Sequence, residues 1–218
     1  TVNLYIGGCS LYTHYINAVD DRSSYELDFN GFSTGFNISI KQGLTSDDFD
    51  IVTLQQASHF SFKEESYQPY LSYLAGYIKK YCPHAKIFIH QTWAYNPDEK
   101  RLEEMGFSSH RNMYAEIEKT YEGFLGSIDA CGLIPSGKTI CNLVESGMSS
   151  EKIFRDPIHA SLGIGRYALA LAWLEYLTGL PAEKCSFSDF DVPVSSEDAE
   201  RAAEAAHIAS EWAKKYKK

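Results

Sequence analysis

The sequence predicts an α/β domain in which a parallel sheet lies between layers of helix. Three observations carry that prediction. Short apolar runs alternate with longer helical patterns from end to end, no Pro-, Gly- or Ser-rich linker separates them, and no internal repeat divides them. Residues 1–218 therefore read as one domain. At 44% hydrophobic and 22% charged, the chain has the composition of a globular protein with a sizeable core.

Charge and cysteine usage narrow the function. Twenty Lys+Arg against 29 Asp+Glu leave a net charge of -9, which opposes nucleic acids and anionic membranes. No apolar run approaches the roughly 20 residues that span a bilayer, and Thr1–Ile6 reads as a strand rather than a leader. Cys9, Cys82, Cys131, Cys141 and Cys185 are scattered without a CxxC pair, so neither a disulfide framework nor a zinc site is expected, and a reducing, cytoplasmic compartment is.

Taken in order, the first strand is Val2–Ile6, which runs into Gly7-Gly8-Cys9-Ser10-Leu11. Two glycines permit a sharp exit that leaves Ser10 at the carboxyl edge of the sheet, where free amides of a following helix would face an oxyanion. Ser10 is equally well read as the N-cap of that helix. Cys9 would then point the other way, into the core. Strands follow at Tyr25–Phe29 and Asp50–Leu54, with Asn30-Gly31-Phe32-Ser33-Thr34-Gly35 as the loop between them. In a doubly wound sheet of order 2-1-3-4-5, the ends of strands one and three are neighbours. That order places Gln56 beside Ser10, as an amide donor to an oxyanion or as an ordinary polar strand end.

Tyr70, Leu71, Leu74, Ile78 and Tyr81 recur at helical spacing before Pro83. The fourth strand, Lys86–His90, opens into His90-Gln91-Thr92-Trp93-Ala94-Tyr95. Trp93 is a platform for a sugar ring or a core residue, and His90 a substrate contact or a locally satisfied side chain. Met113, Ile117, Tyr121, Phe124 and Ile128 form another helical stripe, followed by a short strand at Gly132–Ile134.

Arg155-Asp156-Pro157-Ile158-His159 comes next, with a carboxylate three residues before an imidazole in one loop. About 0.4 such pairs are expected from composition alone, so position matters more than spelling. A nearly all-apolar helix runs from about Leu162 to Leu177 and closes at Gly179. The last segment, about 196–218, is amphipathic, with Ala202, Ala206, Ala209, Trp212, Ala213 and Tyr216 on one stripe; it docks on its own domain or serves a homo-oligomer. His14, His59, His84, His90, His110, His159 and His207 form no HxH or HExxH pair, so no metal is expected.

Together, Ile6-Gly7-Gly8-Cys9-Ser10-Leu11, Asp50-Ile51-Val52-Thr53-Leu54-Gln55-Gln56, His90 to Tyr95 and Arg155 to His159, followed by Gly165-Arg166-Tyr167, resemble the ordered blocks of the SGNH (GDSL-type) hydrolases. The likeness is to a bacterial subgroup whose first block reads like GNSF or GGCS, and it reaches to about Gly179. The resemblance implies a flavodoxin-like α/β/α sandwich with a five-stranded parallel sheet and serine esterase chemistry that needs no metal or cofactor. It assigns Ser10 as nucleophile, His159 as base and Asp156 as its orienter, with Ser10, Gly35 and Gln56 forming the oxyanion hole. Gly31 is the alternative glycine. Ser58 is the alternative to Gln56, because the family's third-block Asn is missing.

The expected activity is removal of a small acyl group, most simply acetyl, from a carbohydrate, with an oligosaccharide ester as partner. A lipase or thioesterase on longer chains is one rival. A catalytically inactive carbohydrate-binding protein of the same fold is another.

Overall fold

The computed structural model describes residues 1–218, the side chain of Ser127 excepted. Strand β1 (Val2–Tyr5) leads through Gly8, at φ 62, to Ser10, which caps helix α1 (Leu11–Val19). Strand β2 (Tyr25–Phe29) then runs antiparallel to β1, with Val2 opposite Phe29 and Tyr5 opposite Glu26. Asn30 (φ 49) and Gly31 (φ 87) form a two-residue turn, and β3 (Phe32–Ile38) returns along β2. Positive φ at both turn residues matches the twist of paired strands, which is why Asn-Gly favours hairpins.

A capping box at Ser39 opens α2 (Ile40–Leu44), and β4 (Ile51–Leu54) follows. The remaining elements are α3 (Tyr70–Tyr81), β5 (Lys86–His90), α4 (Lys100–Glu104), α5 (His110–Phe124), β6 (Gly132–Ile134), α6 (Ser136–Glu145), α7 (Ser150–Ile153), α8 (Ile164–Thr178) and α9 (Ser196–Ala213). Strands β4, β5 and β6 pair in parallel, in that order.

The α/β class and the parallel arrangement of β4–β6 agree with the sequence. The single five-stranded sheet of order 2-1-3-4-5 does not form; the strands divide into an antiparallel β1-β2-β3 sheet and a parallel β4-β5-β6 sheet. The cause lies at the start of β2. Tyr25 is buried, and its hydroxyl binds His14 Nδ1 at 2.8 Å and accepts from Asn17 Nδ2 at 3.2 Å, both on α1. These bonds bring the chain back to the edge it left, so α1 is an excursion rather than a crossover. The turn at Asn30-Gly31 then makes a hairpin of what the sequence presents as a loop.

Helices cover both faces of the parallel sheet because alternate strand residues point oppositely. Ile89 and Leu133 meet Met113, Tyr114, Ile117 and Tyr121 of α5, while Phe88 and Ile134 meet Tyr176 of α8 and Ala213 of α9. Ala202, Ala206 and Ala209 are fully buried, so the C-terminal stripe docks on its own chain through α6 and α8. The tyrosines are largely structural: Tyr25, Tyr67, Tyr95, Tyr114 and Tyr121 are among the largest fully buried side chains. No helix is long and apolar enough to cross a membrane.

Candidate active site

The loop between α7 and α8 is closed at its base by an antiparallel bridge between Phe154 and Ala160, reinforced by Arg155 N–H donating to the His159 carbonyl at 3.0 Å. Within it, Asp156 Oδ1 accepts the amides of Ile158 (2.9 Å) and His159 (2.7 Å), and Oδ2 meets His159 Nδ1 at 2.7 Å. Burial pushes the Asp156 carboxyl up. The two amides and the imidazole outweigh that and hold it below its usual range. An ionised Asp156 fixes the proton of neutral His159 on Nδ1 and leaves Nε2 as a base.

The segment after β5 grips this loop from outside. Trp93 Nε1 donates to the Ile158 carbonyl at 2.9 Å, and Asn96 N–H donates to the Pro157 carbonyl at 3.0 Å. Trp93 is half-buried and its one donor is engaged with the loop, which makes it a positioning residue for that loop. His90 is likewise enclosed. Its Nδ1 meets Gln55 Oε1, its Nε2 meets Ser136 Oγ at 2.8 Å, its ring stands edge-on to Trp173, and burial pushes its pKa down to about 4. With both nitrogens occupied it does not present itself to a substrate. No local pattern announces Ser136, which lies 46 residues away from His90.

Ser10 is half-buried, and its hydroxyl oxygen accepts from Thr13 N–H at 3.2 Å and meets Thr13 Oγ1 at 3.0 Å. The cap reading is thus realised. Asp156 and His159 are brought together; among the described residues no hydrogen bond joins Ser10 to His159. Cys9 beside it is a poor nucleophile, since burial pushes its thiol up to about 11 and its His14 neighbour down to about 4.

The expected oxyanion donors need correction. Gln56 is buried beside α1, but its Oε1 accepts Leu11 N–H and Ala57 N–H, both at 2.9 Å, while Nε2 donates to Ser66 O at 3.0 Å and Ser66 Oγ at 3.1 Å. Two amide donors fix the oxygen's side, so no free N–H of Gln56 faces the cleft. It is a strut between α1 and the end of β4. Gly35 sits inside exposed edge strand β3, two strands from β1, with φ 72 at the register shift. Gly31 is at the hairpin turn, beside the Val2 end of β1 and away from Ser10. Ser58 opens a short turn, its hydroxyl 3.2 Å from that of Tyr95.

Comparison with known proteins adds a family. No curated protein matches the chain. A crystal structure of a DUF4886 family protein from Bacteroides uniformis ATCC 8492 is similar at TM-score 0.85 and 28% identity, covering 95% of this chain and 82% of that one. A Slackia heliotrinireducens protein described as a candidate SGNH hydrolase aligns at TM-score 0.45 and 16% identity, over 78% of this chain and 70% of its own. The model of the domain of unknown function DUF4886 matches residues 1–209, and the chain belongs to that family.

Proposed function

We propose that the chain hydrolyses carboxylic esters, with His159 as proton acceptor and Asp156 as the group that fixes its tautomer. The supporting observation is the 2.7 Å Asp156–His159 contact on a loop closed at its base and gripped from β5. In this reading Ser10 Oγ leaves its cap bond, attacks the ester carbonyl and gives its proton to His159 Nε2. The imidazolium then protonates the departing alcohol, and water, deprotonated by the same nitrogen, releases the acid from Ser10. A net charge of -9 suits a neutral glycan ester, with acetyl as the acyl group, over a polyanion.

Fluorophosphonate labelling with peptide mapping, alongside acetate release from acetylated glycans, tests this. The expected label is on Ser10, and both labelling and acetate release are slowed in His159→Ala. A His159-dependent label on another residue would keep the hydrolase and remove Ser10 from it. No label and no turnover would leave a binding protein.

A second reading, an esterase or thioesterase for longer chains, is favoured by a groove of about 350 Å³ along α8. Leu162, Tyr167, Leu171, Leu174, Phe187 and Phe190 line it, and it starts three residues after His159. Rates on nitrophenyl acetate, butyrate and octanoate separate the two: a maximum at acetate supports the first, a rise with length the second.

A further inference from the structure

We propose that the crossing of α8 and α9 carries a divalent-metal site for Zn²⁺, formed by Glu175, His207 and Glu211. One ligand atom from each of the three lies within 4.8 Å of the others. His207 and Glu211 are one turn apart on α9, which puts them on one face, and Glu175 reaches them from α8. One imidazole and two carboxylates are donors that Zn²⁺ accepts, and two carboxylates with neutral imidazole balance its charge.

The surroundings favour a cation over a bare ion pair. Glu175 is only 9% exposed, and among the described residues no Lys or Arg pairs with it. Its Oε2 accepts Ala182 N–H at 2.9 Å, the kind of outer contact that orients a ligating carboxylate, while Oε1 lies 2.7 Å from His207 Nδ1. Tetrahedral ligands about 2 Å from zinc stand about 3.3 Å apart, so this pair opens by a few tenths of an ångström on binding. Glu183 directly follows Ala182 on the turn after α8 and adds a further negative charge to this end of the helix. Glu211 is exposed and shares one oxygen with Lys214, so its other oxygen can bind. His207 is 42% exposed, which leaves water access for a fourth ligand. Bound there, the metal would pin α9 to α8.

The experiment is titration of the chelator-stripped chain with Zn²⁺ by calorimetry and thermal melting, with Co²⁺ as a spectroscopic probe of tetrahedral geometry. One equivalent should bind, with Tm rising by about 5–10 °C at a hundredfold excess over Kd. His207→Ala should abolish binding, and Glu211→Gln, at an exposed position, should weaken it tenfold or more. His159→Ala should leave it unchanged, which separates the site from the Asp156–His159 pair. Failure to saturate at one equivalent, undiminished affinity in Glu211→Gln or His207→Ala, or loss in His159→Ala would overturn the assignment.

Discussion

The indole nitrogen of Trp93 donates to the carbonyl of Ile158 at 2.9 Å, so a side chain leaving the parallel sheet holds the residue directly before the imidazole of His159. Trp93→Phe keeps most of the packing and deletes the donor, which frees the Ile158 carbonyl and loosens the loop. The expected cost is about 1 kcal/mol of stability and roughly a tenfold fall in kcat with little change in KM. Steady-state kinetics on an aryl ester check this. A change confined to KM would make Trp93 a substrate contact instead.

Asp156→Asn preserves an oxygen for the amides of Ile158 and His159 but replaces the acceptor at His159 Nδ1 with a group able to donate. The imidazole then loses its preferred tautomer. A drop of about 10³- to 10⁴-fold in kcat is expected with Tm nearly unchanged, measured by ester turnover and by melting.

Gln56 makes four bonds in a buried position, two through its oxygen and two through its nitrogen. Gln56→Leu would leave the amides of Leu11 and Ala57 and the carbonyl of Ser66 without partners, at a cost of about 2–4 kcal/mol. Urea unfolding measures that loss. An oxyanion donor would instead lose rate at constant stability.

That contrast marks how far the sequence could be read. Gln56 does lie beside the start of α1, although the strand order that predicted it does not form, and the direction of its amide depends on Ser66, at the end of a one-turn helix too short to announce itself by periodicity. The extent of α3 followed from spacing, as did the meeting of Asp156 and His159, because three residues in a closed loop can hardly miss. The antiparallel return of β3 along β2 is written in Asn30-Gly31, a hairpin signal, whereas the return of β2 along β1 rests on the Tyr25 bonds to α1, which no local pattern announces. Trp93 and Ile158 are 65 residues apart, and no local pattern encodes their contact.

Asp198 anchors α9 to α7, with Lys152 Nζ at 3.0 and 2.8 Å from its two oxygens and Ser195 Oγ donating to it at 2.9 Å. The Lys152 hydrogen bond is the main reason its carboxyl lies below the usual range; burial opposes it and Ser195 adds to it. A depressed folded value means the contribution is fully present above the unfolded pKa of about 4 and is lost as pH falls through the folded value. Because the Lys152 side chain is half exposed, the effect is about 1 kcal/mol. Unfolding free energy measured from pH 6 to 2 should fall less steeply in Asp198→Asn than in the parent, and equal slopes would dismiss the pair.

Gly132 and Tyr176 offer a two-residue test of how the sheet packs on α8. A Cβ at Gly132 would overlap the Tyr176 hydroxyl, which itself accepts Leu133 N–H at 3.1 Å. Gly132→Ala should therefore cost about 1–3 kcal/mol through overpacking, and Tyr176→Phe about 1 kcal/mol through the lost acceptor. Combined, they should cost less than their sum, because removing the hydroxyl removes the overlapping atom and leaves only a ring carbon and Phe88, both at a tight 3.3 Å. A double-mutant cycle by chemical denaturation measures the coupling, expected at about 1 kcal/mol in the favourable direction. Strict additivity would mean that the strand shifts rather than the ring, and that α8 is not seated on β6 through this hydroxyl.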